Sequence, residues 1–389
     1  MPAKSVTIIG GGIGGFAAAL ALRQRGCDVR VLEQAEAISE VGAGLQISPN
    51  GLRVLEALGV GEALRAGACR GTAVSLRDHR AGREVLRLDL NRLPEGQSYH
   101  FVHRADLIAL LSQAAREAGV QVRLLQKVAA VRPGAPVRIE MANGDSCSAD
   151  LVIGADGLHS VVRSALNGVV APFFTGQVAW RAVVPNLCGH PPEARVHMGP
   201  GRHVVSYPLR GGEKVNLVAV EERRQWTEEG WSQHDDAANL RTAFAGFGGD
   251  VAKLLAAVER PGLWGLFRHP VARHWHGQGV AILGDAAHPT LPFMAQGANM
   301  ALEDAWALAA CLTSGTDMDA ALSRYQDLRR ERCVKIVEAA NGNAWKYHLS
   351  NPLVRGVAHM GIGMLGRLAP AKMLGQFDWI YGYDVTKAV

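Results

Sequence analysis

The sequence predicts an α/β (α+β) fold in two parts: a unit built on a parallel sheet, and an antiparallel sheet inserted into it, with a helical C-terminus. Three observations carry this. Residues 4–34 read as strand, glycine turn, helix, strand and acid; a second apolar strand ends in Asp156-Gly157; and period-two alternation is confined to about 170–275.

The first observation is the most specific. The apolar run Val6 to Ile9 ends in Gly10-Gly11-Gly12-Ile13-Gly14-Gly15, an Ala/Leu-rich helical pattern follows to Arg25, and Gly26 stops it. A second β-rich run, Val29 to Leu32, ends at Glu33. Gly10 permits a tight turn, Gly12 lets backbone approach a pyrophosphate, and Gly15 lets helix and strand pack closely. The helix N-terminus then faces phosphate, and Glu33 is placed for an adenosine ribose. This reads as a Rossmann-like, dinucleotide-binding unit.

Composition sets broad limits. With 48% hydrophobic and 20% charged residues the chain reads as an ordinary globular protein. The net charge of +5 is spread along the chain, which favours small anionic ligands over nucleic acid. No apolar run is long enough to span a membrane, and the first nine residues lack the plan of a signal peptide. The six cysteines are widely spaced without a CxxC pair, as expected of reduced thiols in a cytoplasmic protein. No metal-ligand spacing is present, so no metal is expected.

After Glu33, Val41 to Ile47 is a glycine-bearing segment suited to lie against a cofactor. Ser48-Pro49 starts a helix running to Leu58, with Ser48 as its cap. Residues 72–102 read as short strands and turns, and His103-Arg104-Ala105-Asp106 opens a helix ended by Gly119. Val120–Leu125 and Val137–Met141 are strands, with Asn143-Gly144 as a hairpin turn. The run ending in Asp156-Gly157 returns to the nucleotide sheet. Val178–Val184, His203–Tyr207 and Val215–Val220 alternate as antiparallel strands with one wet face, interrupted by a helix over Asp235–Phe244. At Val280 the α/β pattern resumes, leading to Gly284-Asp285 and a helix opened by Gln296-Gly297-Ala298-Asn299. The expected division is a discontinuous nucleotide domain over 1–170 and 277–345, a substrate domain over 171–276, and a helical segment over 346–389.

Three motifs stand in order: GGGIGG at 10–15, DGLHSVVR at 156–163 and GDAAHP at 284–289. The triplet resembles the single-component flavoprotein aromatic hydroxylases, the family of 4-hydroxybenzoate and salicylate hydroxylases. GAGLQISPN at 42–50, HRADL at 103–107, RHVVSYPLRGG at 202–212, MAQGANMALEDA at 294–305 and the terminal WIYGYD narrow it. Together they are similar to the 3-hydroxybenzoate 6-hydroxylase, salicylate hydroxylase and 6-hydroxynicotinate 3-monooxygenase subgroup.

The resemblance implies a 4-hydroxybenzoate hydroxylase-like fold that binds FAD, with NADH or NADPH as a transient co-substrate. It implies oxygen transfer from O₂ to a small phenolic or hydroxypyridine acid through a flavin hydroperoxide. Gly10, Gly12, Gly14 and Gly15 would face the FAD pyrophosphate, and Glu33 with Gln34 the adenosine ribose. Val128 falls where the chain passes the adenine, Arg104 reaches the cofactor, and Asp156 is a further contact. Asp285 would hold the ribityl chain, while Gly297, Ala298 and Asn299 would stabilise charge on the flavin ring. His203 and Tyr207, four apart on one strand and hence on one face, match the catalytic pair: His203 as base or relay, Tyr207 as orienter. Gln296, Gln46 and Pro292 would surround the substrate; Gln46 stands where some relatives carry His, which counts against 6-hydroxynicotinate. His288 is expected to be structural. No second GxGxxG unit exists, so NAD(P)H has no separate domain. A homodimer is implied by resemblance alone. Two alternatives stay open: a flavin oxidoreductase with a non-aromatic substrate, and an FAD-binding protein without turnover.

Overall fold

The computed structural model describes residues 5–38, 43–223 and 234–389, the side chains of 343–345 excepted. Val41 and Gly42 of the expected cofactor-facing segment lie outside the described residues.

A six-stranded sheet forms the nucleotide unit, in the order His276–Gly277, Val280–Ile282, Leu151–Gly154, Ser5–Ile9, Asp28–Leu32, Gln121–Arg123. All neighbours are parallel except the short edge strand His276–Gly277. Its strands are continuous apolar runs, with Val6, Ile8, Val31, Ile153 and Ile282 buried, because both faces of a parallel sheet are covered. The helix Ile13–Arg23 packs against the helix Gly297–Leu312, so the first and last thirds of the chain close one core. The strand before Asp156 thus joins this sheet in register with Val6–Ile9.

A seven-stranded sheet makes the second layer, ordered Gly262–Arg268, Phe173–Pro185, Lys214–Glu222, Arg202–Leu209, Glu193–Gly199, Ala73–Asp78, Glu84–Asp89. Two features correct the expectation. Ala73–Asp78 and Glu84–Asp89 come from within the stretch assigned to the nucleotide domain, yet they complete this sheet. Ala73–Asp78 also pairs parallel with Glu193–Gly199, so the sheet is mixed. Side chains from its back face pack under the helices Ala237–Ala243 and Asp250–Ala256, with Trp180, Leu217, Phe244 and Leu254 at the centre. The second of those helices lies outside the expected Asp235–Phe244.

The C-terminal third is helical: Gly297–Leu312, Met318–Asn343, Pro352–Leu368 and shorter pieces to Ala388. Pro352–Leu368 lies on the edge strand Glu84–Asp89, where a Cβ on Gly363 would sit 2.8 Å from the Val85 carbonyl oxygen. Covering an edge strand in this way blocks its pairing with another chain. The last turns fold back over the helix Pro49–Ala57, held by Arg53 Nη1 donating to the Tyr381 and Tyr383 carbonyls at 2.7 and 3.0 Å. No helix among the described residues is long and apolar enough to cross a membrane.

Candidate active site

The glycine turn is fixed by contacts that only glycine tolerates. Gly10 has φ +104°, and a Cβ there would lie 2.4 Å from the Ala155 carbonyl oxygen. A Cβ on Gly15 would lie 2.0 Å from the Gly10 carbonyl oxygen. Both glycines are therefore internal to the turn. Gly12 is different: nothing lies within 4 Å of its Cβ position, and it opens onto a cavity together with Gly14. The helix that starts there has no side-chain cap, so its first N–H groups are left for a ligand. Glu33 ends its strand with one carboxylate oxygen accepting from Gly11 N at 2.6 Å and the other from Ala35 N at 2.8 Å. Gln126 N donates to the Glu33 carbonyl at 2.8 Å, which brings the segment before Val128 alongside. Val128's own side chain is in the core, so only its backbone can meet a ligand. Gln34 is exposed beyond the strand end.

One cavity of about 350 Å³ runs from this turn to the mixed sheet, within the usual range for small-ligand sites. Gly12, Gly14, Gln46, Arg104, His203, Tyr207, Asp285, Pro292, Gln296, Gly297 and Ala298 all line it. Residues as far apart in the chain as Gly12 and Ala298 thus meet where the two sheets face each other. Alternation explains the floor: His203, Val205 and Tyr207 point one way from Arg202–Leu209, and Val218 and Val220 join them from the next strand. Gly44 allows the approach of the other wall, since a Cβ there would lie 2.5 Å from the Tyr207 ring, and its N–H donates to Asn216 Oδ1 at 2.7 Å. Tyr207 stacks on Phe101 at 5.2 Å between centroids, and burial pushes its phenol pKa up. Tyr99 donates to Gln46 Oε1 at 2.8 Å.

Asp285 carries the clearest sign of a missing partner. It stands at the C-terminal end of Val280–Ile282, its carboxylate opens into the cavity, and that carboxylate makes no hydrogen bond among the described residues. Burial in the cleft pushes its pKa up. The helix Gly297–Leu312 starts uncapped at the same cavity, after Ala295 turns the chain at φ +53°.

Three expected contacts have other work. Both oxygens of Asp156 cap the helix Val161–Asn167, accepting from Ser160 Oγ at 2.5 Å and Val161 N at 2.9 Å. Asn299 points away from the cavity, accepting from Ser48 N at 3.1 Å and donating to the Gln46 and Ala295 carbonyls. Gln296 reaches the cavity wall, but its amide is occupied: it accepts from Asn50 Nδ2 at 3.2 Å and donates to Ser48 Oγ at 3.0 Å. Ser48 in turn bonds Asn50 Oδ1 at 2.6 Å and does not cap its helix. Asn50 continues the chain to Glu303 at 2.6 Å, and Glu303 meets Arg329 at 2.6 Å and Arg332 at 2.9 Å. Beside it Asp304 binds Arg329 at 2.8 Å, the Gly284 N–H at 3.1 Å, and His288. His288, Asp304 and Cys333 come within ligand distance of one another, but the Arg329 guanidinium occupies Asp304, so the cluster is an ion-pair lattice. It fixes the Gly284-Asp285 turn and the start of the helix Gly297–Leu312 against each other.

The chain matches the FAD binding domain family model over residues 3–340. It is 34% identical to the 3-amino-4-hydroxybenzoate 2-monooxygenase PtnB3 of Streptomyces platensis, across 98% of this chain and 96% of that protein. It is 35% identical to the 3-hydroxybenzoate 6-hydroxylase of Klebsiella oxytoca, across 97% and 96%. The chain belongs to the FAD binding domain family. The solved structure of Klebsiella pneumoniae HpxO complexed with FAD and uric acid superposes with a TM-score of 0.85 at 26% identity, covering 96% of this chain and 97% of that one. The protein is accordingly an FAD-dependent aromatic monooxygenase.

The residues present fit FAD. An open glycine cradle at a helix N-terminus, an acid at the next strand end, and an unpartnered carboxylate at the far strand end are spaced along one cavity. Several lining groups were not legible in the sequence. Arg181 opens into the cavity from Phe173–Pro185, 5.3 Å from the Trp264 ring centroid and with no carboxylate partner among the described residues. Its signal was a lone charge inside an apolar alternation. Tyr347 and Tyr381 close the rim from segments without periodicity.

Proposed function

We propose that the protein hydroxylates a small aromatic carboxylic acid bearing a phenolic or equivalent hydroxyl, using NAD(P)H, O₂ and FAD. When bound, FAD is reduced by NAD(P)H and delivers one atom of O₂ to the aromatic ring. The observation that carries the substrate class is the pairing, in one cavity, of Arg181, a cation with no carboxylate partner among the described residues, with a buried neutral base, His203.

Each residue then has a task. Gly12 and the uncapped helix behind it receive the pyrophosphate, Glu33 the ribose, and Asp285 the ribityl hydroxyls. The start of Gly297–Leu312 supplies N–H groups to the flavin ring. Arg181 binds the substrate carboxylate, and Tyr207 with Gln46 orients the ring between Phe293 and Tyr347. His203 removes the hydroxyl proton, because a phenolate attacks electrophilic oxygen faster than a phenol. Burial holds the His203 pKa well below its ordinary value, which keeps the imidazole neutral and ready to accept. Gln296 and Asn299 brace this arrangement. The 3-hydroxybenzoate and 3-amino-4-hydroxybenzoate of the named relatives are the first compounds to test.

The deciding experiment follows NADH and NADPH oxidation by FAD-loaded protein over a panel of hydroxylated aromatic acids, with peroxide and product mass read together. Strong stimulation by one acid, with a product heavier by one oxygen and little peroxide, is expected. Stimulation by uncharged phenols alone would overturn the acid assignment. We also propose a homodimer through the helix Pro352–Leu368, whose Leu353, Val357, Met360, Met364 and Leu368 form an exposed stripe at helical spacing.

A further inference from the structure

His203 is joined to the protein surface by a continuous line of side-chain hydrogen bonds. Its Nδ1 lies 2.7 Å from His348 Nε2, and His348 Nδ1 lies 2.8 Å from Glu222 Oε1. The two histidines are buried, whereas the Glu222 side chain is half exposed. We propose that His348 and Glu222 form a proton wire that carries the substrate's hydroxyl proton out of the cavity and returns it to the product. This rests on His203 as the base.

The bonding fixes the tautomers. The Glu222 carboxylate can only accept, so His348 carries its hydrogen on Nδ1. Neutral His348 then presents a lone pair at Nε2, which requires the hydrogen of His203 on Nδ1. His203 Nε2 is left with its lone pair and makes no hydrogen bond among the described residues. The resting wire therefore leaves a proton acceptor at the end that lines the cavity.

The transfer balances. The substrate O–H bond breaks as His203 Nε2–H forms; His203 releases its Nδ1 proton to His348 Nε2; His348 releases its Nδ1 proton to Glu222, which passes it to water. No group is oxidised or reduced, and neither imidazole has to hold a net charge. Running the steps backwards protonates the product oxygen and restores both tautomers. The surroundings suit transfer more than storage of charge. His203 is ringed by Phe293 and Tyr347, at 5.8 and 5.3 Å between centroids. Burial holds the pKa of both histidines down. The other charges near His348 are Arg202, which lowers its proton affinity, and Glu221, which pairs with Arg202 at 3.4 Å. Phe293, Tyr347 and the sheet leave the wire as the polar route from Nε2.

The test mixes FAD-loaded protein with 3-hydroxybenzoate, and separately with 3-amino-4-hydroxybenzoate, in weakly buffered solution containing a pH-indicator dye. Proton release on binding is followed by stopped flow, without NAD(P)H. Glu222→Gln and His348→Gln should slow release at least tenfold while FAD content and the ligand dissociation constant stay as in the unmodified protein. Formate should restore the rate of Glu222→Ala, which a merely structural role would not produce. Release at the unmodified rate in Glu222→Gln, or no rescue by formate, would overturn the wire. If His203→Ala is slow while both Glu222 and His348 variants are fast, the base stands and the wire falls. If the unmodified protein releases no proton with any binding phenol, the base assignment falls with it. Should His348→Gln fail to load FAD, the Glu222 variants and the formate rescue decide alone.

Discussion

Arg181→Met isolates the group on which the acid substrate class depends. Methionine keeps an unbranched stem on the strand Phe173–Pro185 but removes the guanidinium from the cavity. A carboxylate bound there makes a charge-assisted contact with little water around it, and deleting one partner of such a pair costs about 2–5 kcal/mol. At about 1.4 kcal/mol per factor of ten, kcat/KM for 3-hydroxybenzoate should fall about 30- to 4,000-fold. Phenol has the hydroxyl and no carboxylate, so its kcat/KM should change less than about threefold. The assay is oxygen uptake with product analysis for both compounds. A second readout follows from the free protein. Burial lowers the Arg181 pKa and no carboxylate among the described residues answers its charge, so the melting temperature of Arg181→Met should match or exceed that of the unmodified protein, as at sites where function costs stability. Equal losses for the acid and for phenol would refute the reasoning, and so would a clear drop in melting temperature.

His203→Ala should lower coupled hydroxylation by about 10²- to 10⁴-fold while FAD stays bound, as read from flavin absorbance; unchanged coupled turnover would remove it from the mechanism. Gly12→Val, with its side chain in open space, should leave the apoprotein's melting temperature unaltered and weaken FAD binding at least tenfold, whereas Gly15→Ala, 2.0 Å from a carbonyl oxygen, should lower the melting temperature itself. Asp304→Asn breaks the buried pairs with Arg329 and His288, leaving Arg329 with Glu303 alone, and should cost about 3–5 kcal/mol, a fall in melting temperature of about 4–6 °C at about 2 cal/mol/K per residue. Asp304 is held down to about 2 by His288 and Arg329 against its burial, so its contribution is present above about pH 4 and is lost as pH falls through 2; the Asn variant should lack that part of the acid sensitivity in urea titrations. Met360→Glu with Met364→Glu should shift sedimentation toward a monomer.

What could be read from the sequence was what local geometry dictates. The turn at Gly10 to Gly15 needs its glycines within a few residues of one another, and the two strand-end acids, Glu33 and Asp285, follow apolar runs that have to be strands. His203 and Tyr207 share a face because alternation is local. Partner choice is different. Residues 73–89 have the pattern of a hairpin, yet nothing in that pattern says which sheet it joins, and it pairs with a strand more than 100 residues away. The amides of Gln296 and Asn299 and the carboxylate of Asp156 sit in motifs expected to meet the cofactor, but their hydrogen bonds go to buried backbone and to Ser48, Asn50 and Ser160. Unsatisfied buried donors cost more than a missed ligand contact gains, so bracing took those side chains. His348 was invisible for the opposite reason: it lies after a long helix, and only the return of the chain across the mixed sheet brings it to His203.

The same geometry sets a pH dependence that an exposed histidine could not give. A group whose pKa is lowered on folding stays deprotonated until the pH drops below that lowered value. His203 is held well below 6.5 by burial, with His348 adding to the effect, and His348 is lowered as well despite Glu222. Protonating His203 would fill Nε2 and stop it from accepting, so the activity of the substrate-bound enzyme should stay flat as pH falls from 8 through 6.5. Arg202, Glu221, Tyr347 and Phe293 complete the surroundings, and none supplies a carboxylate directly to His203 that would bring its pKa back up. The measurement is kcat against pH with the best acid of the panel, at saturating NAD(P)H and O₂. A loss of kcat centred near 6.5 would mean a solvated imidazole, incompatible with a base buried against Phe293 and Tyr347. A flat profile that acquires such an inflection in His348→Gln would show that the second histidine, by occupying Nδ1, adds to burial in keeping the first one neutral.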